Sequence, residues 1–200
     1  SWWTITPRMG KVAALASEYA TAYIDGNCAT KTCASTEYQD DAPGYFTGKD
    51  KDTGEAYFTS PISTDEYSSA WSDCGIFVGF IIKYHGFDKK FPSHGAQNQY
   101  DYVVANGYDT AESKLTNEQK KAYKWQYTKI TSGNLGDVKY GDVFISKGSG
   151  TQGHSMIIYA DSGKKAIMAS LNSQVPNIRN DIGYWVFNSY SQNITARLNK

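Results

Sequence analysis

The chain has 200 residues, 40% hydrophobic and 14% aromatic, and its 20 basic and 20 acidic side chains leave no formal net charge. That length is enough for one well-filled core, and with no Lys/Arg cluster larger than a pair a general nucleic-acid binder is excluded. No stretch approaches about eighteen consecutive apolar residues, so no membrane span is expected.

In chain order, the opening Ser1-Trp2-Trp3-Thr4 lacks the basic-then-apolar run of a secretion signal and is read as a mature form, or one trimmed of its leader or anchor. Pro7 to Ile24 carries Val12, Leu15, Tyr19 and Tyr23 at three- and four-residue spacing, which predicts an amphipathic helix ended by Gly26. Cys28 and Cys33 are spaced to close a short loop, and that use of cysteine favours an exported protein; two reduced, unrelated thiols are the alternative. Residues 26 to 62 are loop-rich, with Pro43-Gly44, Thr47-Gly48 and Thr53-Gly54 punctuating short aromatic pieces. Asp50, Asp52 and Glu55 gather three carboxylates, but their spacing does not fit a calcium loop and a solvated turn is the better reading. No metal site and no cofactor is expected, since no second Cys pair or His couple stands at ligand spacing.

The helix that follows opens at a thiol: Trp71-Ser72-Asp73-Cys74-Gly75-Ile76-Phe77-Val78. Ser72 or Asp73 can cap its first turn, and unpaired backbone N–H groups there favour a thiolate. An inert core cysteine is the competing reading. Helices are expected over Gln97 to Val104 and over Asn117 to Tyr123, the latter capped by Thr116 or Asn117 with Glu118 in its first turn. Five antiparallel strand candidates follow: Trp125 to Ile130, Asp142 to Ser146, His154 to Tyr159, Ala166 to Asn172 and Tyr184 to Tyr190. Helices first and strands later predict an α+β fold, in which residues 1–61 form an N-terminal helix and loop-rich extension packed on a core spanning 62–200. Asn193-Ile194-Thr195 matches a glycosylation sequon and is taken as chance.

Of the three histidines, His154 opens a strand after the glycine-rich loop 147–153, and a neutral imidazole there, facing Cys74, would supply the base that a cysteine nucleophile requires. His85 lies eleven residues after Cys74, about 16 Å along a continuous helix, too far to serve. Gly86 places His85 in the helix's last turn, where a partly charged ring complements the dipole. His94 is not excluded by spacing.

Asp73-Cys74 with Phe77-Val78, followed by Gly141-Asp142-Val143 and then Gly153-His154, resembles the papain-like cell-wall cysteine peptidases and amidases of the NlpC and CHAP types, over roughly residues 62 to 190. The resemblance implies a papain-like fold, with the cysteine helix packed on a central antiparallel sheet, and a secreted or cell-envelope hydrolase of peptidoglycan. Its third catalytic position departs from the NlpC pattern, because Ala166 stands where a second histidine is usual. Pairing about Ser162 and Gly163 puts His154 nearly opposite residues 170 to 172, where Ser170 and Asn172 are the polar choices and the amide is the better acceptor for an imidazole N–H. Asn172 is therefore expected to orient His154, with Tyr67, Asp73 and Ser170 contributing to substrate binding. Sixteen tyrosines suit broad, partly wet contact with a polymer. A monomer is expected. The alternatives are an inactive wall-binding or scaffold domain of the same fold, and a secreted thiol protease or toxin.

Overall fold

The computed structural model describes residues 8–16, 74–92, 95–148, 153–160, 165–168, 177–179 and 192–199. Helix α1 covers residues 8–16 and buries Met9, Val12, Ala13 and Ala16, a stripe at three- and four-residue spacing. The expected stripe shared only Val12 with it; Leu15 is partly buried, and Tyr19 and Tyr23 lie outside the described residues. Helix α2, Cys74–Gly79, runs directly into a π turn, Phe80–Tyr84. Cys74, Phe77, Val78, Ile81 and Ile82 form its buried stripe. Helix α3 spans Ala96–Ala105 and buries Ala96, Gln99, Tyr100 and Val103.

The short helix α4, Asn117–Lys120, is closed by a reciprocal capping box in which the Thr116 hydroxyl accepts from the Gln119 amide and the Gln119 side chain accepts from the Thr116 amide. Thr116 is therefore the cap. The helical hydrogen bonding tightens to three-residue spacing over Lys121 to Tyr123, which is why the α-helix is shorter than expected.

The strands are β1 Gly107–Asp109, β2 Trp125–Lys129, β3 Val143–Ser146, β4 His154–Ala160, β5 Lys165–Met168, β6 Asn177–Arg179 and β7 Asn193–Leu198. Among the described residues they form one sheet in the order β1-β2-β7-β3-β4-β5-β6. Every pairing is antiparallel except β1 with β2, which is parallel. The fold is mixed α+β. Strands β1, β6 and β7 were not among the expected ones, and Tyr184 to Tyr190 lies outside the described residues.

Strand β7 is the largest departure from the expectation. It sits between β2 and β3, and all six of its residues are buried. Ile194, Ala196 and Leu198 face the main core, which also takes Val143, Ile145 and Ile157 from β3 and β4 and the stripes of α1, α2 and α3. The alternate residues face a smaller cluster of Ile130, Val138, Phe144, Met156 and Ile158. Asn193 and Thr195 are both buried in this strand, so the sequon is closed to glycosylation for a physical reason that its sequence does not carry.

What allows Arg197 inside a central strand is Asp142. Arg197 Nε donates to Oδ1 at 2.8 Å and Nη2 to Oδ2 at 3.0 Å, while Thr195 Oγ1 and the Lys139 amide donate to Oδ2 at 2.8 Å each. Burial pushes the Asp142 carboxyl up; Arg197, Lys139 and Thr195 all pull the other way by favouring the carboxylate. Arg197→Ala leaves a buried carboxylate without its counter-charge, with an expected loss of about 3–5 kcal/mol in urea unfolding. The double change Asp142→Leu with Arg197→Met is expected to recover most of it. Equal losses in the single and double variants would mean that side-chain volume matters there rather than charge.

Candidate active site

The start of α2 and the start of β4 meet on helix α3, and one side chain holds them. Gln99 is fully buried. Its Nε2 donates to the Gly75 carbonyl at 2.8 Å and to the Pro92 carbonyl at 3.0 Å, and its Oε1 accepts from Ser155 Oγ at 2.9 Å. Because two of the partners are carbonyls, the amide can be oriented only with its NH2 toward them. The residue after Cys74 and the residue after His154 are thus tied through one planar group.

Two glycines bring the same backbones closer than side chains would allow. A Cβ on Gly75 would lie 2.8 Å from the Gly95 amide nitrogen. A Cβ on Gly153 would lie 2.9 Å from Ala96 Cβ and 3.1 Å from the Lys147 carbonyl oxygen. The residues flanking the candidate nucleophile and base therefore converge on Gly95 and Ala96, where α3 begins. Lys147, one residue beyond β3, is fixed to the same helix: its Nζ lies 2.8 Å from Asp101 Oδ1 and 5.5 Å from the centre of the Tyr100 ring.

Cys74 is 3% exposed and His154 5%. Helix α2 packs directly on β4. Strand alternation nevertheless separates the two faces of β4: Ser155 and Ile157 face the helix layer, whereas His154 shares the face of Met156 and Ile158. On that face His154 is paired across strands with Ser146, and Ser146 with Asn193. All three are buried, so a polar row crosses β4, β3 and β7 at the end of the sheet where β4 begins.

The β4–β5 hairpin pairs Ile157 with Ile167 and Ile158 with Ala166, and its register shifts between Ile158 and Ala160, so that only the Ala160–Lys165 pair is centred between Ser162 and Gly163 as expected. Asn172 and Ser170, the expected partners of His154, lie outside the described residues, as do Tyr67, Asp73, His94, Cys28, Cys33 and the carboxylates of positions 50, 52 and 55. His85 caps the π turn that ends the Cys74 helix. The residue is exposed, and partial desolvation by neighbouring atoms lowers its pKa from the ordinary histidine value, opposite in sign to what a helix-end dipole would do.

Sequence reasoning passed over Gln99, Ser155, Ser146 and Asn193. Gln99 had a signal: it falls on the buried stripe of α3 with Ala96, Tyr100 and Val103, and an amide on such a stripe must find partners. Ser146 had one in the β3–β4 hairpin, whose strands are consecutive in the chain, whereas Asn193 had none, because β7 lies beside β3 out of sequence order.

Compared with protein-family models, curated proteins and solved structures, the chain matches none.

Glycine substitutions separate close packing from ordinary flexibility. Gly75→Ala and Gly153→Ala are each expected to cost about 1–3 kcal/mol, because the added methyl group meets backbone or a Cβ that cannot swing away. Gly136→Ala, where nothing lies within 4 Å of the new Cβ, is expected to be neutral or slightly stabilising. Thermal or urea unfolding of the three variants checks this; equal effects at all three positions would remove the argument for convergence on α3.

Proposed function

We propose that this chain is a papain-like thiol hydrolase acting on an amide bond of peptidoglycan, in the stem peptide or at the sugar–peptide junction, outside the cytoplasm. The observation that carries the proposal is the Gln99 bridge, which binds the neighbour of Cys74 and the neighbour of His154 to one buried amide. Proximity of this kind is what two-residue acid–base chemistry needs, since productive geometry converts a chance encounter into a standing one. The choice of peptidoglycan rests on the resemblance of the motifs around Cys74, Gly141 and His154.

In the proposed reaction His154 takes the Cys74 thiol proton and the sulfur attacks the amide carbonyl. The C–N bond breaks as His154 returns the proton to the leaving amine. Water, deprotonated by the same imidazole, then cleaves the thioester and restores the thiol. The Cys74 backbone N–H is the proposed donor to the developing oxyanion. Asn172 orients the imidazole, and Tyr67, Asp73 and Ser170 contact substrate. Because alternation directs His154 to the Met156 face, the proposal requires the ring to reach the sulfur around the first residue of β4.

A second reading, an inactive wall-binding domain of the same fold, is favoured by that same alternation and by the position of Cys74 on the buried stripe of α2. Digestion of purified cell wall distinguishes the two, with the new termini identified by mass spectrometry. A new stem-peptide amine indicates an endopeptidase and a free lactyl group an amidase; no product from the parent chain overturns the hydrolase. Cys74→Ala is expected to abolish product while changing stability by only about 1 kcal/mol. Among the orienting candidates, Asn172→Ala is expected to slow turnover more than Ser170→Ala, and the reverse order assigns the role to Ser170.

A further inference from the structure

We infer that Gln99 and Ser155 are positioning residues that set the reactivity of Cys74 by fixing the α2 backbone to the strand that carries His154. This inference rests on the thiol-hydrolase reading and deepens it. Three observations support it. The Gln99 amide nitrogen donates to the Gly75 carbonyl of α2 and to the Pro92 carbonyl in the segment leading into α3, and its oxygen accepts from β4, so its rotation is fixed from both sides. The Ser155 hydroxyl is buried, and Gln99 Oε1 is the acceptor it finds among the described residues. Glycine at 75 and 153 lets both backbones close onto Gly95 and Ala96, so the bridge spans a gap with no room for slack.

The arrangement makes a specific demand. A side chain bonded only to α2, or only to β4, would stabilise one element and leave the other free to slide along α3. Gln99 bonds to both, and a shift of either would break a buried hydrogen bond whose groups have no water to turn to. The register of Cys74 against His154 is therefore held by the Ser155 to Gln99 to Gly75 chain of bonds. Loss of the Ser155 hydroxyl cuts that chain on the β4 side while changing the packed volume little.

The test is the pH dependence of Cys74 alkylation by iodoacetamide in the folded 200-residue chain, followed by mass spectrometry of the peptide containing Cys74 so that Cys28 and Cys33 are scored separately. The thiolate is the reacting species, so the midpoint of the rate profile reports the thiol in its site. The parent is expected to have its midpoint below the ordinary thiol value of about 8.5, and His154→Ala to raise it. Ser155→Ala and Gln99→Leu are each expected to raise the midpoint by about one pH unit, which slows alkylation about tenfold at pH values below both midpoints. Ser155→Thr, which keeps the hydroxyl, is expected to restore the parental profile. If His154→Ala moves the midpoint but neither Ser155→Ala nor Gln99→Leu does, the positioning role is overturned and the thiol–imidazole reading stands. If His154→Ala leaves the midpoint where it was, both fall. Should Gln99→Leu fail to fold, the Ser155→Ala and Ser155→Thr pair decides alone.

Discussion

The carboxylate of Asp142 is the constraint from which the rest of the architecture follows. It lies at the turn into β3, is wholly buried, and receives hydrogen bonds from Arg197 and Thr195 of β7 as well as from the Lys139 amide. A charge so placed is costly to bury alone, and a guanidinium on a central strand is equally so; each removes the penalty of the other only if β7 lies directly beside β3. The pair therefore specifies a neighbour. It brings the last described strand of the chain into the middle of the sheet, beside β3, whose hairpin partner β4 begins at His154. Apolar contacts between β7 and β3 would favour burial in either of several registers, whereas the fork of Arg197 on one carboxylate accepts one.

A second buried polar group does for the helix layer what Asp142 does for the sheet. Asp88, just beyond the π turn, accepts from Trp125 Nε1 at 2.8 Å and from the Tyr102 hydroxyl at 2.9 Å, so the segment after α2 is fastened both to α3 and to the first residue of β2. Phe91 fills the space between them, edge-on to Tyr102 and tilted against Trp125. The Tyr102 hydroxyl is accordingly pushed well above the ordinary tyrosine range by burial, by its hydrogen bond to Asp88 and by that carboxylate's charge. With Asp88 at the far end of the Cys74 helix and Gln99 at the near end, α2 is held at both ends by groups that are satisfied only in one arrangement.

The parts legible in the sequence were those set by local pattern. The helix opening at Cys74, a cap at Thr116 or Asn117 and the strands expected from Trp125, Asp142 and His154 all follow from spacing or turn chemistry within a dozen residues, and the structure sets the cap at Thr116 and the middle strand's start at Val143. Strand β7 also has a pattern, with Ile194, Ala196 and Leu198 alternating, but its intervening Asn193, Thr195 and Arg197 suggest a face in water. Only the distant Asp142 reverses that inference for Arg197 and Thr195, and a counter-charge more than fifty positions away leaves no local trace. For Gln99 the need for partners had a signal but their identity did not, since Gly75 and Ser155 lie 24 and 56 positions away. In α1, Val12 was legible as a buried position and Leu15 packs on the core, whereas Ala13 and Ala16 carry too little apolar surface to stand out in the sequence although both are buried.

The position of His154 at the first residue of β4 gives the candidate site its particular geometry. Farther along the strand, an imidazole on the Met156 face would be separated from α2 by the sheet itself, and no rotamer could bring it to the sulfur. At the strand's first residue His154 follows Gly153, whose backbone lies against Ala96, and it is itself buried. Across the strands it pairs with Ser146, and Ser146 with Asn193. A base at the end of a sheet can serve a nucleophile on the opposite face only if the helix begins at that same end. The ties from Gly75 and Ser155 to Gln99 place both beginnings there, which is why the bridge, more than the burial of either residue, carries the catalytic reading.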